Sequence, residues 1–256
     1  MSDQPHPRAS SVDPADVARF NRLGDLWWDK SGKMGILHDI NPVRVAYVRD
    51  LACRHLPGEG APRDRYDARP LEGLRIADIG CGGGILAESL AELGAAVVAI
   101  DPAPNNIEVA RRHAEKSGLD IDYRNMTAEA LADSGESFDI VTALEVIEHV
   151  DGPKAFVATL ASLVTPGGLL FLATIDRTLK SYALAIVGAE YLLRWVPRGT
   201  HSHDKFIRPN ELASWLRAAS LRELDRSGMS YQPLTRSWRK SHDTDVNYLM
   251  AAKKDG

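Results

Sequence analysis

The chain has few cysteines, no long apolar run and no excess of basic residues, and each shortage excludes a class of protein. Cys53 and Cys81 are the only cysteines, and they lie too far apart in the sequence to match a metal-binding pair or a disulfide framework. Such sparse use of cysteine is typical of a reducing compartment. The net charge of −4 argues against a general nucleic-acid-binding surface, so we expect no nucleic-acid partner.

Signals for export and for membrane insertion are also missing. Residues 1–11 are polar and lack the apolar core of a signal peptide. No stretch contains the roughly 18 consecutive apolar residues that a membrane-spanning helix requires. Of the 256 residues, 44% are hydrophobic and 26% are charged, as in ordinary globular proteins. We therefore expect a cytoplasmic protein with one large domain and its elaborations.

Residues 78–84 form the most informative stretch of the chain, with the sequence Asp-Ile-Gly-Cys-Gly-Gly-Gly. A short apolar run precedes this stretch, and apolar residues at helical spacing follow it: Ile85, Leu86, Leu90 and Leu93. The order predicts a strand, a glycine turn and a helix. Because glycine has no Cβ, the backbone N–H groups of such a turn can approach a ligand closely. The stretch therefore predicts a nucleotide-type binding site.

Two kinds of ligand fit the spacing of these glycines. Gly82-x-Gly84-x-x-Ala87 satisfies the pattern of a dinucleotide site, and Asp101 supplies the acid expected about 20 residues later. Asp78, however, would lie beside the pyrophosphate of a dinucleotide, where like charges repel. S-adenosylmethionine avoids this repulsion, because it carries a sulfonium and an ammonium group and no phosphate.

We therefore predict that Asp78, Gly82 and Asp101 bind S-adenosylmethionine. The pattern Asp-x-Gly-x-Gly-x-Gly followed by a later acid resembles the signature of class I methyltransferases. A nicotinamide-dependent oxidoreductase is the alternative from a different class. Titration with each cofactor separates the two.

Strands alternate with helices along much of the chain, which predicts a mostly parallel, Rossmann-like α/β sheet with helices on both faces. We expect seven strands, near residues 74–78, 96–101, 119–124, 138–144, 168–175, 221–226 and 246–252. Ligands of such sheets bind at the carboxyl ends of the strands. There Asp101 can accept both ribose hydroxyls, and Leu144, after the fourth strand, can pack on an adenine ring.

Glu145, Glu148 and His149 follow the fourth predicted strand. If residues 145–149 turn helically, Glu145 faces the other two side chains, at i+3 and i+4. Two carboxylates and an imidazole suit a divalent cation such as Mg²⁺. Alternatively, His149 is a general base, since its reference pKa lies near neutrality. A third interpretation, in which these residues only brace the loop, is also open.

Two predicted helices precede the sheet. Asp13-Pro14 is an N-cap followed by proline, and the helix that it starts ends at Trp27-Trp28. This helix either packs on the domain or covers a flat aromatic substrate. Asn41-Pro42 repeats the start signal and would place Arg44 in a first turn, where the helix dipole disfavours a cation. Arg44 is therefore either a partner of a ligand carboxylate or a solvated surface residue.

Residues 182–196 are mostly apolar and aromatic, and three basic residues flank or interrupt them, namely Lys180, Arg194 and Arg198. The stretch is too short to cross a bilayer, but its basic flanks suit a helix that lies on an anionic membrane surface. A helical lid over the active site is the alternative. His201 and His203 follow without an acid at a firm spacing, so we expect a loop there.

Several segments besides the glycine turn together resemble one family, the ubiquinone-biosynthesis O-methyltransferases. These segments are residues 20–28, 37–44, 144–150, 187–193, 199–201, 205–207 and 245–248. The likeness extends over about residues 13–252. Its tryptophan pair and residues 187–207 are much more specific than the glycine turn. The chain departs from the family at residues 57–70 and between His201 and Lys205.

The resemblance implies S-adenosylmethionine as the methyl donor and polyprenylated phenols and catechols as acceptors, with two ring hydroxyls methylated. It implies cofactor contacts at Arg44, Gly80, Asp101 and Leu144. It also implies a divalent cation on Glu145, Glu148 and His149. An O-methyltransferase for another small phenol is the alternative within the same class.

The predicted layout follows from these segments. We expect a disordered tail at 1–12, a helical cap at 13–56, a linker at 57–73, and a methyltransferase core at 74–256 with a helical insertion at 176–208. An anionic membrane surface is an expected partner through residues 180–198, on the inner face of the cytoplasmic membrane. Other enzymes of the same pathway are also expected partners.

Overall fold

A twisted sheet forms the centre of the fold in the computed structural model of the chain, which describes residues 10–32, 34–58, 61–178, 205–232 and 234–256. Its strands are β1 Arg75–Ile79, β2 Ala96–Asp101, β3 Asp122–Asn125, β4 Phe138–Leu144, β5 Val164–Ile175, β6 Leu221–Gln232, β7 Ser237–Ser241 and β8 Asn247–Lys254. They lie side by side in the order β3-β2-β1-β4-β5-β8-β6-β7. Strands β1 to β5 pair in parallel, whereas β8 is antiparallel to both of its neighbours.

Helices cover both faces of this sheet. They are α1 Pro14–Asn21, α2 Gly35–His55, α3 Ile85–Glu92, α4 Pro104–Ser117, α5 Ala128–Asp133, α6 Pro153–Leu163 and α7 Pro209–Ala218. Successive strand residues point to opposite faces, so Ile76 joins the core under α2, α3 and α4, while Ala77 joins the core under α5, α6 and α7. The prediction of a mostly parallel sheet between two helical layers is confirmed.

The sheet has one strand more than predicted within the described residues. Strand β7 carries the sequence Ser-Trp-Arg-Lys-Ser, which has no apolar alternation strong enough to predict a strand. It forms because its backbone pairs with β6 in an antiparallel hairpin, with Tyr231 opposite Trp238. Tertiary pairing therefore decides this element. The last predicted strand, near residues 246–252, is β8, and it pairs antiparallel with β5.

The N-terminal helices differ from the prediction at their boundaries. Asp13 caps α1 as predicted, since its side chain accepts a hydrogen bond from the Ala15 N–H. Gly24 then takes a left-handed φ of +50°, and a separate 3₁₀ turn, Gly24–Trp28, carries the tryptophan pair. Helix α2 starts at Gly35, so Pro42 lies inside it instead of starting it. Burial of residues such as Tyr47 and Val48 offsets the one backbone hydrogen bond that proline removes.

Several predictions concern residues outside the described ranges. These are most of the tail at 1–12, the apolar stretch 182–196 with its basic flanks, and His201 and His203. Among the residues that the structure describes, no helix is long and apolar enough to cross a membrane.

Candidate active site

A cavity of about 670 Å³ lies at the carboxyl ends of β1, β2 and β4, beneath α1 and α2. Eight of the residues predicted from the sequence line it: Arg44, Asp78, Gly80, Gly82, Asp101, Leu144, Glu145 and His149. The ninth, Glu148, is not among the lining residues. Parallel strands bring the residues that follow them to one edge of the sheet, so positions far apart in the sequence meet here.

Asp78 is the penultimate residue of β1, and its carboxyl group is buried, with only 2% of the residue's surface exposed. Its Oδ1 accepts a hydrogen bond from the Thr142 hydroxyl at 2.7 Å, and its Oδ2 is buried without a partner among the residues that the structure describes. Burial raises the pKa of Asp78 to about 7, although the Thr142 hydrogen bond and the nearby Arg44 charge both lower it. A cationic ligand group at Oδ2 would therefore stabilise the ionised form.

Asp101 ends β2 and is held by three donors. Its Oδ2 accepts from the Gly82 N–H at 3.0 Å, and its Oδ1 accepts from the Ala103 N–H at 2.8 Å and from Asn106 Nδ2 at 3.1 Å. Burial raises the pKa of Asp101, and these hydrogen bonds oppose that effect. The carboxylate is thus fixed beside the glycine turn, where a ribose would lie. Asn106 is part of this arrangement, and no sequence signal singled it out.

The glycine turn is covered by an aromatic side chain from the N-terminal region. A Cβ at Gly82 would overlap the six-membered ring of Trp27, and a Cβ at Gly83 would overlap the start of the same side chain. Trp28 donates from Nε1 to the Gly83 carbonyl oxygen at 2.9 Å and stacks on His113. Both tryptophans therefore pack on the turn that the predicted cofactor site uses. Close approach of Trp27 is a second reason for glycine at these positions, besides approach of a ligand.

We expect Gly82→Ala to lower the free energy of unfolding by about 2 kcal/mol more than a glycine substitution without a steric clash. The added Cβ must displace Trp27, and the left-handed φ of +54° at Gly82 adds backbone strain. Urea denaturation of the purified variants measures the difference.

Gly118→Ala is the matched control for this substitution. Gly118 has a similar left-handed φ of +68°, but a Cβ there would meet no atom within 4 Å. It therefore reports the backbone strain alone. Equal losses of stability in the two variants would contradict the proposed packing of Trp27 on the turn.

Arg44 and Glu145 form an ion pair in the wall of the cavity, with Arg44 donating from its guanidinium to Glu145 Oε1 at 3.0 Å. Arg44 is buried, so the interpretation as a solvated surface residue is wrong. Glu145 has a left-handed φ of +59°, and its N–H bonds to the Ala173 carbonyl of β5. The helical turn expected over 145–149 therefore does not form, and only residues Ile147–His149 make a 3₁₀ turn.

His149 meets residues of α1 that the sequence analysis did not single out. Its Nδ1 lies 3.1 Å from Asp16 Oδ2, and the Phe20 ring contacts the imidazole edge-on at 5.1 Å between centroids. The hydrogen bond to His149 is the main cause that lowers the pKa of Asp16. Helix α1 thus fixes the orientation of the imidazole in the cavity wall. The position of Asp16 in the first turn of a helix gave no hint of this contact.

Glu148 is oriented differently from the other two predicted metal ligands. It is buried, its Oε2 accepts from the Thr174 hydroxyl at 3.0 Å, and burial raises its pKa to about 7. Glu145, Glu148 and His149 are thus each bonded to a different partner. Within the described ranges, no group of three His, Cys, Asp or Glu residues is arranged to hold a metal ion. In this arrangement the donor set does not fit a shared metal centre.

The far side of the cavity is apolar and aromatic. Met229, Tyr231 and Trp238 of the β6–β7 hairpin line it, together with Ile36 and Leu37 of α2. The Tyr231 and Trp238 rings lie 5.6 Å apart with an angle of 53° between their planes. Such a wall suits the flat face of an aromatic ring. It was not predicted, because β7 carries no strand signal.

Comparison with known proteins identifies the fold and the family. A family model described as a methyltransferase domain matches residues 49–224. A magnesium protoporphyrin IX methyltransferase from Synechocystis PCC 6803, solved with S-adenosylmethionine bound, has a TM-score of 0.59 at 16% identity and is matched over 96% of this chain and 100% of that one. The same enzyme with S-adenosylhomocysteine bound has a TM-score of 0.56 at 20% identity, over 83% of this chain and 85% of that one.

Curated relatives are far more similar in sequence. The ubiquinone biosynthesis O-methyltransferase of Methylocella silvestris is 60% identical over 254 residues, which cover 99% of both chains. That of a Chelativorans species is 52% identical over 250 residues, which cover 98% of this chain and 97% of the relative.

The fold, the glycine turn and the paired acids define a class I S-adenosylmethionine-dependent methyltransferase. Within that class, the chain belongs to the family of ubiquinone biosynthesis O-methyltransferases. The predicted family and fold class are therefore confirmed. The names of the curated relatives leave the nicotinamide-dependent alternative without support.

Proposed function

We propose that this enzyme transfers the methyl group of S-adenosylmethionine to ring hydroxyls of polyprenylated phenols and catechols, namely 2-polyprenyl-6-hydroxyphenol and 3-demethylubiquinol. The observation that carries the proposal is one cavity with two kinds of wall. Acidic groups at the ends of β1 and β2 suit the cofactor, and the aromatic hairpin opposite suits an apolar ring. The names of the curated relatives support the same pathway.

The cofactor occupies the acidic side in this proposal. Asp101 accepts hydrogen bonds from the ribose hydroxyls, and Asp78 balances a positive group of the ligand. Leu144 packs on the adenine ring. Arg44 and Gly80 complete the contacts, with Arg44 free to leave Glu145 for a ligand carboxylate because both partners lie at the cavity wall.

The acceptor lies between the cofactor and the aromatic wall. Methyl transfer from a sulfonium is an in-line displacement, so the enzyme mainly holds the acceptor oxygen in line with the methyl group. A phenol has a pKa of about 10 and is a poor nucleophile while protonated. In our proposal, His149 takes this proton, since its imidazole lines the cavity and Asp16 holds it in place.

The remaining parts of the proposal concern a cation and a membrane. Mg²⁺ stays a prediction, because Glu145 and His149 already pair with Arg44 and Asp16. Contact with an anionic membrane through residues 180–198, on the inner face of the cytoplasmic membrane, concerns residues outside the described ranges. Association with other enzymes of the pathway likewise stays a prediction.

Calorimetric titration with S-adenosylhomocysteine, run beside NAD and NADP, tests the donor. We expect binding at roughly micromolar concentration for the first ligand alone. Methylation assays then compare a catechol with a short prenyl chain against unsubstituted catechol. Faster turnover of the prenylated compound supports the proposal, whereas equal turnover would favour an enzyme for small phenols.

Two further arms of the experiment test the cation and the membrane. Assays in EDTA, with and without added Mg²⁺, measure any dependence on metal. Loss of that dependence in Glu145→Gln would support a metal ligand at this position.

Sedimentation with vesicles that contain anionic lipid, compared with neutral vesicles, measures membrane contact. Equal recovery of the protein with both would contradict an electrostatic membrane surface.

A further inference from the structure

Trp27, Asn106 and Asp101 form a chain of hydrogen bonds at the edge of the cofactor site. Trp27 Nε1 donates to Asn106 Oδ1 at 2.8 Å, and Asn106 Nδ2 donates to Asp101 Oδ1 at 3.1 Å. All three residues are buried, and Asn106 is only 1% exposed. In such surroundings each donor and acceptor has few other partners, so the chain is well determined.

The chemistry of the two ends fixes the orientation of the amide in the middle. An indole N–H can only donate, and a carboxylate that receives three donors can only accept. Asn106 must therefore present its oxygen to Trp27 and its NH₂ group to Asp101. A flipped amide would place its oxygen against the Asp101 carboxylate, where two acceptors repel.

Trp27 also reaches Asp101 by a second route. Its ring packs on Gly82, whose N–H donates to the other carboxylate oxygen, Asp101 Oδ2. The backbone of Trp27 is itself anchored, because its carbonyl oxygen lies 2.8 Å from the His38 Nε2. One side chain thus controls donors to both oxygens of Asp101.

We propose that Trp27 is a positioning residue of the cofactor site, which acts through Asn106 to orient Asp101 toward the ribose hydroxyls. The inference rests on the proposed use of S-adenosylmethionine. Without the indole N–H, Asn106 Oδ1 loses its donor, so the amide is held less firmly and its hydrogen bond to Asp101 weakens. The role differs from the sequence-based hypothesis of a lid over the aromatic substrate, since Trp27 covers the cofactor turn.

Trp27→Phe tests the inference, because phenylalanine keeps an aromatic ring and removes the N–H group. We expect S-adenosylhomocysteine to bind about tenfold more weakly, which corresponds to the loss of one buried hydrogen bond. The KM for S-adenosylmethionine should rise by a similar factor, with kcat nearly unchanged at saturating donor. Calorimetry and steady-state assays measure these quantities.

A ligand without the two ribose hydroxyls separates positioning from packing. If Trp27 acts on the ribose through Asp101, then 2′,3′-dideoxy-S-adenosylhomocysteine should bind Trp27→Phe and wild type almost equally. An equal loss of affinity for both ligands would overturn the inference, and so would no loss for either. Failure of the wild-type protein to bind S-adenosylhomocysteine would instead overturn the proposed function itself.

Trp28→Phe is the matched control on the same turn. Trp28 also donates from its indole, but to the Gly83 carbonyl oxygen and not to Asn106, so its loss should not distinguish the two ligands. Asn106→Ala provides a second variant in case Trp27→Phe folds poorly, and it should show the same selective loss. Combined with Trp27→Phe, it should add little further loss, because both act through one chain. Additive losses in the double variant would contradict the chain.

Discussion

Asp78→Asn is expected to weaken the binding of S-adenosylmethionine by roughly 100-fold, or about 3 kcal/mol, the cost of removing one partner from a buried charge pair. The carboxylate is buried, and its Oδ2 has no partner among the described residues. The substitution keeps the shape and the Thr142 contact but removes the negative charge. Calorimetric titration of the variant measures the loss. Asp120→Asn, which changes an exposed carboxylate, should leave the affinity unchanged.

The same residue predicts how cofactor binding depends on pH. Burial raises the pKa of Asp78 to about 7 in the free protein, and a cationic ligand favours the ionised form. Below that pH the carboxyl group must release a proton before the ligand binds, so affinity falls with falling pH. Above about pH 7 the affinity should level off, because Asp78 is then already ionised. In Asp78→Asn this component of the pH dependence should disappear, and a pH profile identical to that of wild type would contradict the assignment.

A rise in pH should affect the stability of the free protein in the opposite direction from its effect on ligand affinity. The pKa of Asp78 in the fold lies above the ordinary value of 3.8, so its stabilising contribution is complete below that value. The contribution is lost as the pH rises through about 7. The free protein should therefore lose stability relative to Asp78→Asn over this range, and bound S-adenosylhomocysteine should reduce the loss.

His149→Gln is expected to lower kcat for phenol methylation by about 100-fold, a typical contribution of a general base. Glutamine retains hydrogen-bonding capacity beside Asp16 but cannot take up a proton at neutral pH. Affinity for S-adenosylhomocysteine should change little, because the role concerns the acceptor. Steady-state kinetics and calorimetry separate these effects. His242→Gln, at an exposed histidine, is the control.

The acidity of the acceptor distinguishes a base from a residue that only supports the loop. A catechol with an electron-withdrawing substituent is largely ionised at neutral pH and needs no base. With this acceptor, His149→Gln should recover most of its activity relative to wild type. An equal loss with acidic and ordinary catechols would indicate that His149 shapes the site without taking a proton.

The placement of Asp78 and Asp101 at one edge of the sheet was predictable from the sequence. Asp78 and Asp101 follow apolar runs that could only be buried strands, and parallel strands present their carboxyl ends at one edge. The helix start at Asp13 was equally local, since its cap needs only the two residues after it. In contrast, the Asn41-Pro42 pattern predicts a helix start, but Pro42 lies inside α2. Packing of that helix on the sheet outweighs the local signal.

The acceptor half, and the residues that support the cofactor half, depended on contacts between distant residues. Asp16 meets His149 across 133 positions, and Trp27 meets Asn106 across 79. Glu145 adopts a left-handed backbone and pairs with Arg44, which removes the helical turn that local spacing favoured. Trp238 belongs to a strand that exists only through pairing with β6. None of these contacts leaves a pattern in the nearby sequence.

The sequence by itself therefore determined the class of enzyme, the order of most strands and helices along the chain, and the placement of Asp78 and Asp101 at the carboxyl ends of two strands. Each of these depends on local periodicity, or on the charge and size of residues in one short motif. Only the tertiary structure decided that Trp27 covers the glycine turn, that Asp16 holds His149, and that Glu148 bonds to Thr174 instead of lining the cavity. Those outcomes follow from packing and pairing energies between segments far apart in the chain, which neither spacing nor composition encodes.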